Sequence, residues 1–177
     1  MDKILVKKAA RSTPLSKTKE NQGMTETVRK SIIKELTKLY CMEVETVTNY
    51  LANSIILDGV RAEEIKKALA TDVNEELLHA RQLGERIKQI GGTIPGSLQL
   101  TFGQNALQPP TDTTDVATVI EGVLSAENAV IDQYYRVIRQ CEGTDYVTQE
   151  LAIRLLADEE MHRTLFEGFL KEYRITS

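Results

Sequence analysis

Four long stripes of apolar residues at three- and four-residue steps run through this chain. Each carries a glutamate where packing calls for an apolar side chain. Glu43 stands between Leu39 and Val47, Glu76 between Val73 and Ala80, Glu127 between Val123 and Val130, and Glu159 between Leu155 and Phe166. The chain's two histidines, His79 and His162, each follow one of these glutamates by three residues. Side chains at i and i+3 of a helix lie on the same side, so each Glu/His pair can reach one ion. Glutamate is roughly a tenth of the chain, so both histidines would have it at this spacing in about one of a hundred random sequences. Four carboxylates turned into one interior would cost several kcal/mol each if charged and unpaired, so something positive must sit among them. Two divalent ions balance four carboxylates, with two neutral imidazoles completing the shells. The expected metal ligands are therefore Glu43, Glu76, His79, Glu127, Glu159 and His162.

The stripes also fix the fold class. The first runs from about Thr25 through Val28, Ile32, Leu36, Leu39, Val47, Tyr50, Ser54 and Leu57, with Gly59 in the C′ position. The second carries Leu69, Val73, Ala80, Leu83, Ile87 and Ile90 and stops at Gly91 and Gly92; the third, Val116 to Cys141, stops at Gly143; the fourth carries Leu151, Leu155, Phe166, Phe169 and Tyr173. No period-two pattern appears, so the class is all-α, an antiparallel four-helix bundle. Residues 92 to 114 hold Pro95, Gly96, Gly103, Pro109 and Pro110 with little periodic signal. They read as a long connection lying along the bundle, which lets helices two and three run parallel. Residues 1 to 24 read as a mobile basic tail and 25 to 177 as the bundle domain.

Charge and cysteine usage exclude other classes. A net charge of −4 argues against a whole-domain nucleic-acid binder, although residues 1 to 20 alone sum to +4. Without a long apolar run or a signal-peptide pattern, the expectation is a cytoplasmic protein with no membrane partner. Cys41 and Cys141 form no CxxC pair and read as small buried apolar residues.

The chain repeats itself. Glu43 precedes Glu76 by 33 residues and Glu127 precedes Glu159 by 32, and Tyr50 and Tyr134 each lie seven residues after the first glutamate of their half. The halves are expected to be related by an approximate twofold through the metal pair. Tyr50 and Tyr134 are candidate hydrogen-bond donors to the ligand shell or electron sources. Glu45, Glu75 and Glu160 adjoin the ligands but fall off the stripe and read as solvated charges.

A Glu from each of two helices and a Glu-x-x-His from each of the other two is the set found in ferritin-like di-iron and di-manganese proteins. At these residues the chain resembles the ferritin-like superfamily, and within it the bacterioferritins. Glu43-Val-Glu-Thr-Val-Thr-Asn-Tyr50 is similar to their first-helix motif and Asp158-Glu-Glu-Met-His162 to their last. The resemblance covers roughly residues 25 to 173 and implies a long crossover between helices two and three. It also implies that Glu76 and Glu159 bridge the ions, that Glu43 and Glu127 are terminal ligands, and that each histidine binds one ion. Bacterioferritins place a haem-ligating methionine after the second-helix glutamate; Leu77 stands there, so no haem is expected. The sequence continues only about fifteen residues beyond His162, which leaves no fifth helix, and its connection is longer than in bacterioferritin. This combination resembles Dps-like mini-ferritins with an intrasubunit site.

The function so implied is a ferroxidase that uses O2 or H2O2 to oxidise Fe2+ at two iron ions per chain, in a homo-oligomeric cage of about twelve subunits. It would store or detoxify iron and protect against oxidative stress. Hard oxygen ligands suit Fe3+, but the same set accepts manganese. The alternatives are a dimanganese catalase-type enzyme and a metal-stiffened binding module. Many basic tails on one cage would also allow weak, salt-sensitive nucleic-acid contact.

Overall fold

Thr25 opens the first helix: its hydroxyl accepts from the Val28 amide, satisfying one of the otherwise unpaired N–H groups of the first turn. In the computed structural model, which describes residues 24–175, the chain then stays helical over Glu26–Ile56 (α1), Glu63–Gln89 (α2), Val116–Cys141 (α3) and Tyr146–Ile175 (α4). The residues read as a basic tail, Met24 excepted, lie outside those described. Among the described residues there is no strand, and the fold is the expected four-helix bundle.

Aspartates start the second half as Thr25 starts the first. Asp115 accepts from the Thr118 amide at 3.1 Å and Asp145 from the Thr148 amide at 3.1 Å. Arg86 of α2 donates to both oxygens of Asp145, at 2.8 and 2.9 Å, and so pins the α3–α4 turn to the second helix. One boundary differs from the sequence reading. Leu57, fully buried, turns inward in extended conformation, so α1 ends at Ile56; Gly59, at φ +100°, sits beyond the C′ position and feeds a short 3-10 turn over Val60–Ala62. The α2 end is as expected: Gly91 takes φ +80°, and the Gly92 amide bonds back to the Ile87 carbonyl.

Two apolar clusters fix the directions of the helices. One joins the N-terminal half of α1 (Ile32, Leu36, Leu39) to the C-terminal halves of α2 (Leu83, Ile87) and α3 (Val130, Val137) and the start of α4 (Leu151, Leu155). The other joins the opposite ends through Tyr50, Leu57, Ile65, Leu69, Val119, Ile120, Val123 and Phe166. Hence α1 and α4 run one way and α2 and α3 the other. Each such side chain adds about 1.5–3 kcal/mol of burial, enough to hold a polar layer between the clusters.

The parallel arrangement of α2 and α3 requires a connection as long as the bundle, and Ile90 to Asp115 supplies it, with 3-10 turns at Ser97–Gln99 and Asn105–Leu107. A ladder of polar side chains on the outer face of α1 holds this strap. Glu45 accepts from the Gly103 amide with both oxygens (2.8 and 2.9 Å) and from the Gln104 amide at 2.8 Å. Asn49 donates to the Gln104 side chain at 3.0 Å and Asn53 to the Leu107 carbonyl at 3.2 Å; just past the end of α1 the Asp58 backbone amide donates to the Thr113 carbonyl at 2.8 Å. On α3 the strap lies so close that a Cβ on Gly122 would stand 2.4 Å from the Ala106 carbonyl oxygen, which requires glycine there. Glu45 is therefore buried and paired, not the solvated charge its position off the stripe suggests.

Candidate metal centre

Each helix brings its out-of-place glutamate to the same level of the bundle. Glu43, Glu76, His79, Glu127, Glu159 and His162 are all at most 3% exposed and converge between the two apolar clusters. They fall into two groups, Glu43, Glu76, His79 and Glu159, and Glu76, Glu127, Glu159 and His162, whose ligand atoms lie within 4.8 Å of one another. Glu76 and Glu159 belong to both.

The two shared carboxylates span the two imidazoles. Glu76 Oε2 lies 3.4 Å from His79 Nδ1 and Glu76 Oε1 3.2 Å from His162 Nδ1. Glu159 Oε1 lies 2.9 Å from His79 Nδ1 and Oε2 3.7 Å from His162 Nδ1. The rings face each other at 6.3 Å between centroids. Glu43 and Glu127 each give one oxygen to a tyrosine of the opposite half. Tyr134 donates to Glu43 Oε1 at 2.5 Å, and Tyr50 donates to Glu127 Oε1. Their other oxygens, both oxygens of Glu76 and Nδ1 of His162 have no hydrogen-bond partner although fully buried. Buried polar atoms are paired in native proteins, so so many unpaired atoms aimed at one space call for cations there.

The electrostatics agree. Burial, with the charges of Glu159 and Glu76, pushes the carboxyls of Glu43 and Glu127 well above the usual range. Burial alone would raise Glu76 and lower the histidines. The contacts to His162 and His79 outweigh it for Glu76, which falls to about 2, and those to Glu159 and Glu76 outweigh it for the rings, His79 rising to about 10 and His162 to about 12. Protein groups alone thus balance this layer with protons on the imidazoles and outer carboxyls. Burial, with Glu127 beside Tyr50 and Glu43 beside Tyr134, pushes both phenols up, so they act as donors.

Residues that the stripes do not single out complete the surroundings. Glu75, read as a solvated charge, is half-exposed, but its Oε2 lies 2.9 Å from His162 Nε2. Asp158 holds the equivalent place beside His79 Nε2 at 3.4 Å. An acidic residue directly before each Glu-x-x-His was the signal for both. Glu160 does stay outside, accepting from Tyr135 at 3.2 Å. Asp72, which lies between Leu69 and Val73 of α2, is buried, which pushes its carboxyl up to about 6. Cys41 and Cys141 are free and buried, as expected. Leu77 projects from α2 to the exterior, 56% exposed.

A four-helix bundle with carboxylates and imidazoles buried at its mid-level defines the ferritin-like class. Residues 33–175 match the ferritin-like domain, and the chain belongs to that family, which includes iron-storage and di-iron proteins. It is similar to a bacterioferritin from Desulfovibrio desulfuricans, 27% identical over 149 residues, 82% of this chain and 78% of that one. A DNA protection during starvation protein from Pyrococcus furiosus is 27% identical over 116 residues, 63% of this chain and 62% of the other. Among solved structures, the dodecameric thioferritin of Bacteroides fragilis superposes with a TM-score of 0.75 at 22% identity, covering 84% of this chain and 89% of that one. The D. desulfuricans bacterioferritin gives 0.68 at 24%, covering 84% and 83%. At these identities the superpositions speak for the fold alone. No helix among the described residues is long and apolar enough to cross a membrane.

Proposed function

We propose that this chain is a mini-ferritin ferroxidase: it takes two Fe2+ as substrate at Glu43, Glu76, His79, Glu127, Glu159 and His162 and passes their electrons to O2 or H2O2. The observation that carries the reading is the sharing of Glu76 and Glu159 between two four-residue ligand groups. Two Fe2+ give up two electrons, which with two protons reduce H2O2 to two waters or O2 to H2O2. Glu76 and Glu159 bridge, each with one oxygen toward either side, while Glu43 and Glu127 are terminal and each histidine serves one ion through Nδ1. Carboxylates can change between these modes as charge rises, and hard oxygen favours the ferric product. Tyr50 and Tyr134 hold the terminal carboxylates in place by donating to their Oε1 atoms, which leaves each Oε2 for an ion.

The product moves into the cavity of a cytoplasmic homo-oligomeric cage of about twelve subunits, where it is stored and kept from peroxide chemistry. The basic residues 1–24 give such a cage weak, sequence-independent nucleic-acid contact, lost with salt. Haem has no place in the scheme, because Leu77 offers no sulfur. The test is metal analysis and size-exclusion mass on the purified full chain, followed by stopped-flow oxidation of added Fe2+. Two iron ions per chain, a dodecamer-sized particle and rapid oxidation are expected. Manganese with O2 evolution from peroxide would establish a catalase instead, and metal without turnover a stiffened binding module. A gel shift at low salt with and without residues 1–22 tests the tail; equal mobility would remove it from the scheme.

A further inference from the structure

The approximate twofold that maps one half of the bundle onto the other fails at one place beside the dinuclear layer. Glu75 and Asp158 correspond, each directly before a Glu-x-x-His, and each faces the outer nitrogen of the other half's histidine. Four residues before each shared glutamate, however, α4 has Leu155, a fully buried core residue, while α2 has Asp72. Asp72 is only 5% exposed, and its Oδ2 has no hydrogen-bond partner. Ligand atoms of Asp72, Glu75 and His162 lie within 4.8 Å of one another, on the side of His162 away from the dinuclear groups. Glu75 reaches solvent. A buried carboxylate in an apolar slot with an unpaired oxygen is the signal that marked the inner site, and here, with a second carboxylate close by, it again calls for a cation.

We infer that Asp72 and Glu75, beside the Nε2 edge of His162, form a third cation site on the α2–α4 side of the bundle, taking a hydrated divalent first-row metal ion. Two carboxylates with water in the remaining positions suit Mn2+ or Fe2+. When Nδ1 of His162 is committed to the inner ion, its Nε2 keeps a proton and donates to Glu75, orienting that carboxylate while its second oxygen and Asp72 hold the outer ion. The half-exposure of Glu75 gives the ion direct access from solvent. The corresponding place beside His79, where α4 brings Asp158 and Leu155, has no such site, because Leu155 supplies no ligand.

The experiment is anaerobic equilibrium dialysis of the full chain against Mn2+, with anomalous scattering from Mn2+-soaked crystals to place each ion. Three ions per chain are expected, the third within reach of Asp72 and Glu75 and none beside Leu155. Asp72→Asn, and separately Asp72→Leu, which installs the residue the other half already packs, should each retain two. Two ions in the wild-type chain would overturn the outer site and leave the dinuclear reading standing, whereas none would overturn both. Three ions retained in either folded variant would also overturn it.

Discussion

The α1–α2 half and the α3–α4 half match closely where they face the metal layer and diverge wherever they face anything else. Glu43 and Glu127, Tyr50 and Tyr134, Glu76 and Glu159, and His79 and His162 occupy corresponding places, and each tyrosine crosses to the other half's glutamate. Two residues beyond the first glutamate the halves part: Glu45 of α1 binds the crossover, and its counterpart on α3 is Ala129, which lines an open groove with Met42 and Phe102. The connections differ too, a 3-10 turn between α1 and α2 and a short Asp145-capped turn between α3 and α4. Two like ions of the kind proposed would constrain both halves equally, whereas only one half has a strap to hold.

The harshest way to break this correspondence is to remove a shared carboxylate. Glu76→Ala and Glu159→Ala should each abolish binding of the second ion and most iron oxidation, and by equal amounts. Two ions per chain persisting in Glu159→Ala, counted by metal analysis, would refute the bridging assignment. Acidity acts on both halves together. The raised histidines, and the raised carboxyls of Glu43 and Glu127, hold protons that an arriving cation must displace. Apparent affinity should thus climb as pH rises toward about 10, where His79 loses its proton unaided, with protons released on loading. Calorimetry of Zn2+ binding in buffers of different ionisation heat measures that release; a buffer-independent heat would count against it.

Outside the site the halves should respond unequally. Glu45→Ala leaves the Gly103 and Gln104 amides without their charged acceptor and should cost about 1.5–3 kcal/mol in urea unfolding. Ala129→Ser, at the corresponding position, should fall within about 0.5 kcal/mol of wild type. Similar values would mean that the strap contributes little. Tyr50→Phe and Tyr134→Phe each delete one buried donor and should lower stability by about 1–3 kcal/mol to a similar extent, while slowing Fe2+ oxidation. A rate loss in only one of them would make that tyrosine an electron source and break the twofold in function. The smallest effect expected is none: haem added to the protein should give no bis-methionine spectrum, and its appearance would mean that another methionine lies within reach.

Much of this molecule could be read before any coordinates. Helix periodicity is local, so a glutamate in an apolar slot and a histidine three residues on declare their side of the helix without knowledge of the partner. That is why the bundle, its six converging residues and the internal repeat follow from spacing alone. The same logic misplaced Glu45 and Glu75, because a stripe records only whether a residue faces the helices' shared core. What covers the other faces depends on the path of residues 90–115 and on how α2 and α4 approach each other, and neither is encoded within one helix. Burial of Glu45 under the strap, the pairing of Glu75 with His162 across 87 residues, the crossing of the tyrosines and the bare oxygen of Asp72 arise only when distant segments exclude water together. The sequence determined which side chains turn inward, through the fixed angle between successive helical residues. Tertiary packing decided which of the rest lose their water and must find partners.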